Sequence, residues 1–203
     1  MEPSGTYYKV VSLLLQYPEA ELAGELRGLA DAVEAGGPAG GREAVRSFLG
    51  AFAEADPIGW QERYTAVFDL SPPTGLHMAY HAWGDGEKRA GALAELATLY
   101  RDAGFETVDG ALPDELPLIL EFLSERPRFA EAGPIRRCLA ALETLVERLA
   151  GVWPPYGGLL KPLADAFAMP PEGAGRTSNP AERRFRPEGG AGDPPPGRPR
   201  RSS

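Results

Sequence analysis

Few residues in this chain have the type and spacing to do chemistry. His77 and His81, the only histidines, stand four apart, and Asp85 follows after another four. On a continuous helix that spacing sets two imidazoles and a carboxylate on one face, a pattern able to hold a metal ion for hydrolysis. Two features count against it. Gly84 is expected to end the helix before Asp85, and Met78 sits where an HExxH zinc motif carries its glutamate. A capping aspartate with two structural or surface histidines is the preferred reading, and no resident metal or other cofactor is expected.

Other reactive groups are sparse. Ser12, Ser47, Ser71 and Ser124 lie in no G-x-S-x-G context. Gly84-Asp85-Gly86 lacks the third glycine of a dinucleotide loop and follows no strand. Cys138 is the only cysteine, which excludes an internal disulfide and a cysteine-built zinc site, and its apolar helical surroundings point to a packed thiol. Carboxylates are plentiful, but on helices they normally form a solvated face. A chain this poor in catalytic groups is expected to bind rather than catalyse.

Charge narrows the partners. The net charge is −8, and the last 33 residues, with seven arginines against four acidic groups, carry +3, which leaves −11 on residues 1–170. Nucleic acid is disfavoured, because phosphate binding needs a positive field. An acidic body suits basic or apolar partners. The N-terminus lacks a basic n-region and a small-residue cleavage site, and no apolar run approaches the roughly 20 residues of a membrane span, so a cytoplasmic protein is expected.

The elements that must position these residues are helices. Apolar residues recur at helical spacing almost throughout, and alternation of period two is nearly absent. Tyr7, Val10, Val11, Leu14 and Tyr17 make one stripe ended by Pro18, Leu22, Leu26, Leu29, Ala30 and Val33 a second, and Val45, Phe48, Leu49 and Phe52 a third. Asp56-Pro57 reads as an N-cap and first helical residue, opening a helix with Trp60, Tyr64, Val67 and Phe68 on one side. A short helix follows from Leu76 to Trp83. Asp85 is the expected cap of the next, which carries Leu93, Leu96, Leu99 and Tyr100 and ends at Gly104. Another is expected from Pro113-Asp114, with Pro117 in its first turn and Asp114 answering its dipole. Ile135 to Leu149 reads as one long helix, and Leu159 to Phe167 as a last short one. The prediction is an all-α single domain of about nine helices over residues 1–170. The Pro/Gly/Arg-rich residues 171–203 are expected to be disordered.

More specific are short polar strings at the helix junctions: Tyr64 to Leu70, Leu76 to Asp85, Arg89, Tyr100 with Gly104-Phe105-Glu106, Leu112-Pro113-Asp114-Glu115-Leu116-Pro117, and Glu121-Phe122-Leu123. Their order and spacing over residues 60–125, with Leu14-Leu15-x-Tyr17-Pro18 at the end of the first stripe, resemble the NarJ-like (nitrate reductase delta subunit) assembly chaperones, within the TorD/DmsD-like redox enzyme maturation superfamily. Tyr80 stands where that family tends to carry glutamate, and Glu87-Lys88 replace its usual Arg-Asp.

The resemblance implies a non-enzymatic chaperone. Its partner would be the N-terminal segment of the apo nitrate reductase alpha (catalytic) subunit, held while the molybdenum cofactor is inserted. It further implies an apolar client segment in a groove between helices with an acidic rim, around Tyr64, Phe68, Asp69, His81, Asp85, Arg89, Asp114 and Glu121. Two alternatives stay open: a client such as a dimethyl sulfoxide or trimethylamine oxide reductase or a formate dehydrogenase, or a metal-dependent hydrolase built on His77, His81 and Asp85.

Overall fold

The computed structural model describes residues 3–19, 37–107 and 110–168. The first stripe folds as helix α1, Gly5–Leu14, where the Ser4 hydroxyl accepts the Tyr7 N–H at 3.2 Å. Tyr7, Val10, Val11 and Leu14 are buried, as the spacing predicts, but Tyr17, the last of the stripe, lies beyond the end of the helix and is exposed. Helix α2, Gly41–Glu54, turns Val45 and Phe48 inward. Helix α3, Pro57–Tyr64, starts as Asp56-Pro57 suggests: Asp56 Oδ2 accepts the Gly59 N–H at 2.8 Å, with proline at the first helical position. It runs on into a π turn, Thr65–Asp69, closed by the Leu70 N–H on the Thr65 carbonyl at 3.0 Å. The Thr74 hydroxyl donates to the Val67 carbonyl inside that turn.

Helix α4, Met78–Trp83, stops at Gly84, whose φ of +67° favours a residue without a side chain. Then come α5, Glu87–Asp102, α6, Leu116–Glu125, and a 3₁₀ turn, Pro127–Glu131. The last three helices are α7, Gly133–Ala140, α8, Leu142–Val152, and α9, Pro154–Phe167. No strand occurs among the described residues, where the single isolated bridge pairs His77 with Glu115. The protein is all-α. The expected helix over Leu22–Val33 and the tail 171–203 lie outside the described residues.

Three local expectations need correction. The long helix expected from Ile135 to Leu149 is two helices, parted at Ala141. No proline or glycine marks the break. The two halves differ in their main neighbours, α7 lying against α4, α5, α9 and the 3₁₀ turn and α8 chiefly against α9, and tertiary packing overrides the continuous local pattern. Asp85 does not cap α5, which starts from Gly86 with no side-chain bond at its cap. The helix expected from Pro113-Asp114 starts at Leu116; Pro117 does fall in its first turn, but Asp114 stays outside and serves another helix.

α1 and α6 lie antiparallel, with Gly5 beside Ser124, Lys9 Nζ 2.6 Å from Glu121 Oε1, and the Ser12 hydroxyl donating to the Pro117 carbonyl at 2.7 Å. The approach at Gly5 leaves no room for a side chain: a Cβ there would sit 2.4 Å from the Ser124 carbonyl oxygen. Gly5→Ala must push the two helices apart, and a loss of about 1–3 kcal/mol is expected from urea unfolding midpoints. A variant as stable as the parent would contradict this packing.

On the other side of the core, α9 packs against α8 and α2. There Tyr156 is the hub of an aromatic cluster, with ring centroids 4.5 Å from Trp153, 4.8 Å from Phe48 and 4.9 Å from Phe68.

Candidate functional site

The Leu112-to-Pro117 string closes against the start of α4 through its backbone. The Met78 N–H donates to the Asp114 carbonyl and the Leu116 N–H to the Leu76 carbonyl, both at 2.9 Å. The Tyr100 hydroxyl donates to the Pro113 carbonyl at 2.9 Å. This lattice carries the Asp114 side chain into the interior, where none of it is exposed. Its Oδ2 accepts the Ala79 N–H at 3.1 Å, so Asp114 caps α4 from 35 residues away.

An imidazole and a guanidinium face this carboxylate without closing on it. His77 Nδ1 is 3.5 Å from Oδ1, and Arg89 Nε is 3.9 Å from Oδ2. Those two nitrogens and Asp114 Oδ1 are buried atoms with no hydrogen-bond partner. The cluster is thus closely juxtaposed and incompletely satisfied, a state that costs free energy unless something else supports it. The Asp114 carboxylate beside the ring holds the His77 pKa above its ordinary value, against the opposing effect of burial. Arg89 reaches outward as well: Nη1 is 2.8 Å from Asp85 Oδ1, and the guanidinium lies 6.0 Å over the Tyr80 ring. Asp85 and Arg89, four apart in the sequence, thus form an ion pair.

His81 is committed elsewhere. Its Nε2–H donates to the Gly75 carbonyl at 2.7 Å, which leaves Nδ1 to accept from Arg148 at 3.1 Å. Burial lowers its pKa, and Arg148 adds to that effect. Both ring nitrogens being engaged, His81 offers no lone pair to a metal. Among the described residues no group of three or more His, Cys, Asp or Glu side chains could hold a metal ion.

The eight residues expected around one groove fall into three places. His81, Asp85, Arg89 and Asp114 surround α4. Tyr64 and Phe68 are buried on the aromatic cluster, with the Tyr64 hydroxyl donating to the Leu15 carbonyl at 2.7 Å, while Asp69 beside them is exposed. Glu121 pairs with Lys9 on the α1–α6 face. Sequence reasoning passed over Ile58 and Leu70, which stand exposed near Tyr17 around a shallow depression of about 350 Å³. Their spacing from Trp60 and Tyr64 could have placed them on the outer side of α3. A second depression, about 590 Å³, lies between α2 and α9, with Ala44, Ser47 and Pro155 among its walls.

This all-α arrangement is the fold of an Archaeoglobus fulgidus protein assigned to redox enzyme maturation. The two superpose with a TM-score of 0.57 at 20% identity, over 81% of this chain and 94% of that one. The chain belongs to the nitrate reductase delta subunit family, whose sequence profile matches residues 34–156. It is 30% identical over 142 residues, 69% of its length, to the nitrate reductase molybdenum cofactor assembly chaperone NarJ of Escherichia coli K12. It is 29% identical over 160 residues, 79% of its length, to the probable counterpart NarJ of Bacillus subtilis 168. The match spans 60% of the length of the E. coli relative and 87% of the B. subtilis one. Among the described residues no helix is long and apolar enough to cross a membrane.

Proposed function

We propose that this chain is a cytoplasmic assembly chaperone that binds the N-terminal segment of an apo nitrate reductase catalytic subunit and holds it while the molybdenum cofactor is inserted. The observation that carries the proposal is the family match over residues 34–156, which contains every junction string from Tyr64 to Glu121. The geometry is consistent with binding rather than turnover. The histidines are spent on Asp114, Gly75 and Arg148, and Cys138 is buried, its pKa raised to about 12 by burial. The net charge of −8 favours a client segment carrying lysine or arginine.

A single peptide segment gives an interface below about 1,200 Å², in the class of transient complexes. Affinity on the order of micromolar, near −8 kcal/mol, would suffice and would allow release after maturation. The test is calorimetric titration of the full-length chain with a peptide of the first ~20 residues of the catalytic subunit, about five helical turns. Micromolar or tighter binding that weakens as salt rises is the expected result. Absence of binding to both the peptide and the whole catalytic subunit would overturn the proposal and move the client to a sibling molybdoenzyme.

A further inference from the structure

Large apolar side chains left in water are informative when they cluster. Among the described residues five large hydrophobic side chains are exposed, and three of them share one depression: Tyr17 at 44%, Ile58 at 66% and Leu70 at 74%. Glu62 and Ala66 fill the row between Ile58 and Leu70, so residues four apart run along the outer face of α3 and the π turn. In an α-helix a four-residue row drifts about 40° around the axis at each step. The i→i+5 closure of the π turn is wider and turns that drift back, which keeps Leu70 over the same face as Ile58.

The third member is held ready. The Tyr17 ring meets the buried Tyr64 ring edge-on at 5.5 Å, and Gln61 Nε2 donates to the Pro18 carbonyl at 2.8 Å, pinning the turn that follows α1. Among the described residues the charges nearest the depression are acidic. Glu62 lines it; Asp69 precedes Leu70 and is exposed, and the exposed Glu19 folds its N–H back onto the Tyr17 carbonyl at 2.9 Å. Arg63, next along α3, is directed elsewhere: its guanidinium donates to the Val152 carbonyl at 2.5 Å and lies 5.4 Å over the Trp153 ring. Among the described residues no basic side chain lines the depression.

We propose that the Tyr17–Ile58–Leu70 depression is the docking surface for an apolar client segment that carries lysine or arginine. The apolar row receives the segment's hydrophobic face, and Glu19, Glu62 and Asp69 receive its charges. The inference rests on the chaperone reading above and assigns it a surface: of the eight residues expected from sequence, Asp69 stands on the rim and Tyr64 supports Tyr17 from beneath.

The test uses the full-length chain against two probes, the ~20-residue N-terminal peptide of the catalytic subunit and the whole catalytic subunit retained on the immobilised chain. The Ile58→Asp/Leu70→Asp double variant should melt like the parent, because both side chains are exposed, and should lose about tenfold or more in affinity for the client. Glu62→Lys/Asp69→Lys should lose several-fold and flatten the salt dependence. Val152→Asp, which alters an exposed apolar residue outside the depression, should bind as the parent does. Unchanged affinity of the Ile58→Asp/Leu70→Asp variant for whichever probe the parent binds overturns the docking surface and leaves the chaperone reading intact. Failure of the parent to bind either probe overturns both. A parent dimer that this double variant converts to monomer would assign the surface to a second copy of the chain, and so also overturn the proposal.

Discussion

Tyr156→Ala should destabilise the protein by about 3–5 kcal/mol, lowering Tm by roughly 10 °C in a chain of this size. The ring stands among five others. Beyond Trp153, Phe48 and Phe68, it has Trp60 at 6.0 Å and Tyr64 at 6.3 Å, mostly in edge or tilted geometry. Removing it deletes a fully buried side chain and leaves a void bordered by rigid aromatics, which have few rotamers with which to close it. Trp60, Tyr64 and Phe68 lie on α3 and its π turn, so the loss also loosens the support of the Ile58–Leu70 row. Tyr156→Phe retains the ring contacts and should stay within about 1.5 kcal/mol of the parent. Chemical denaturation of the two variants separates ring from hydroxyl, and a tolerated Tyr156→Ala would show that the cluster is not the anchor of this half of the core.

Whatever depends on neighbours three or four apart was legible in the sequence. The stripe of Tyr7, Val10, Val11 and Leu14, the Asp56-Pro57 start of α3 and the glycine stops at Gly84 and Gly104 all occur where spacing and turn chemistry put them. The Asp85–Arg89 pair is of the same kind. The all-α class and the family resemblance followed from such local strings read together.

What escaped was decided by contacts distant in sequence. Asp114 next to a proline reads as the start of its own helix, yet the backbone bonds of Met78 and Leu116 place its carboxylate at the N-terminus of α4. Nothing within a few residues of Asp114 signals a partner at Ala79. The break at Ala141 has the same origin, since the heptad-like spacing of Ile135, Leu139, Leu142 and Val146 continues through it. The eight residues expected around one groove fall in three places because adjacency of strings along the chain says little about the face each occupies. Tyr64 points inward and Asp69 outward only five residues apart. Ile58 and Leu70 belong to no stripe read from the sequence, and the π turn that aligns them leaves no mark in the composition of Thr65–Asp69.

Asp114→Ala should cost about 2–4 kcal/mol, from the lost cap on α4 and from removing the buried carboxylate that faces the His77 ring and the Arg89 guanidinium. Part of that cost carries a pH signature. Asp114 holds the His77 pKa above its ordinary value of 6.5, so the protonated ring is favoured in the folded state. Stability from this source is fully present below pH 6.5 and is lost as pH rises through the raised value. His77 is 40% exposed, and solvent screening keeps the effect modest. The lowered pKa of His81 acts in the opposite sense, favouring stability at higher pH. It is set mainly by burial, with Asp114 the smallest of its causes, so it largely cancels between parent and variant. The stability gap between parent and Asp114→Ala should therefore be widest in mildly acidic buffer and narrow through neutrality, while the loss of the cap persists at every pH. Thermal melts of both proteins at matched ionic strength read the gap directly. A gap that stayed constant across this range would show that the Asp114–His77 contact stabilises nothing, and that the carboxylate acts through the Ala79 N–H alone.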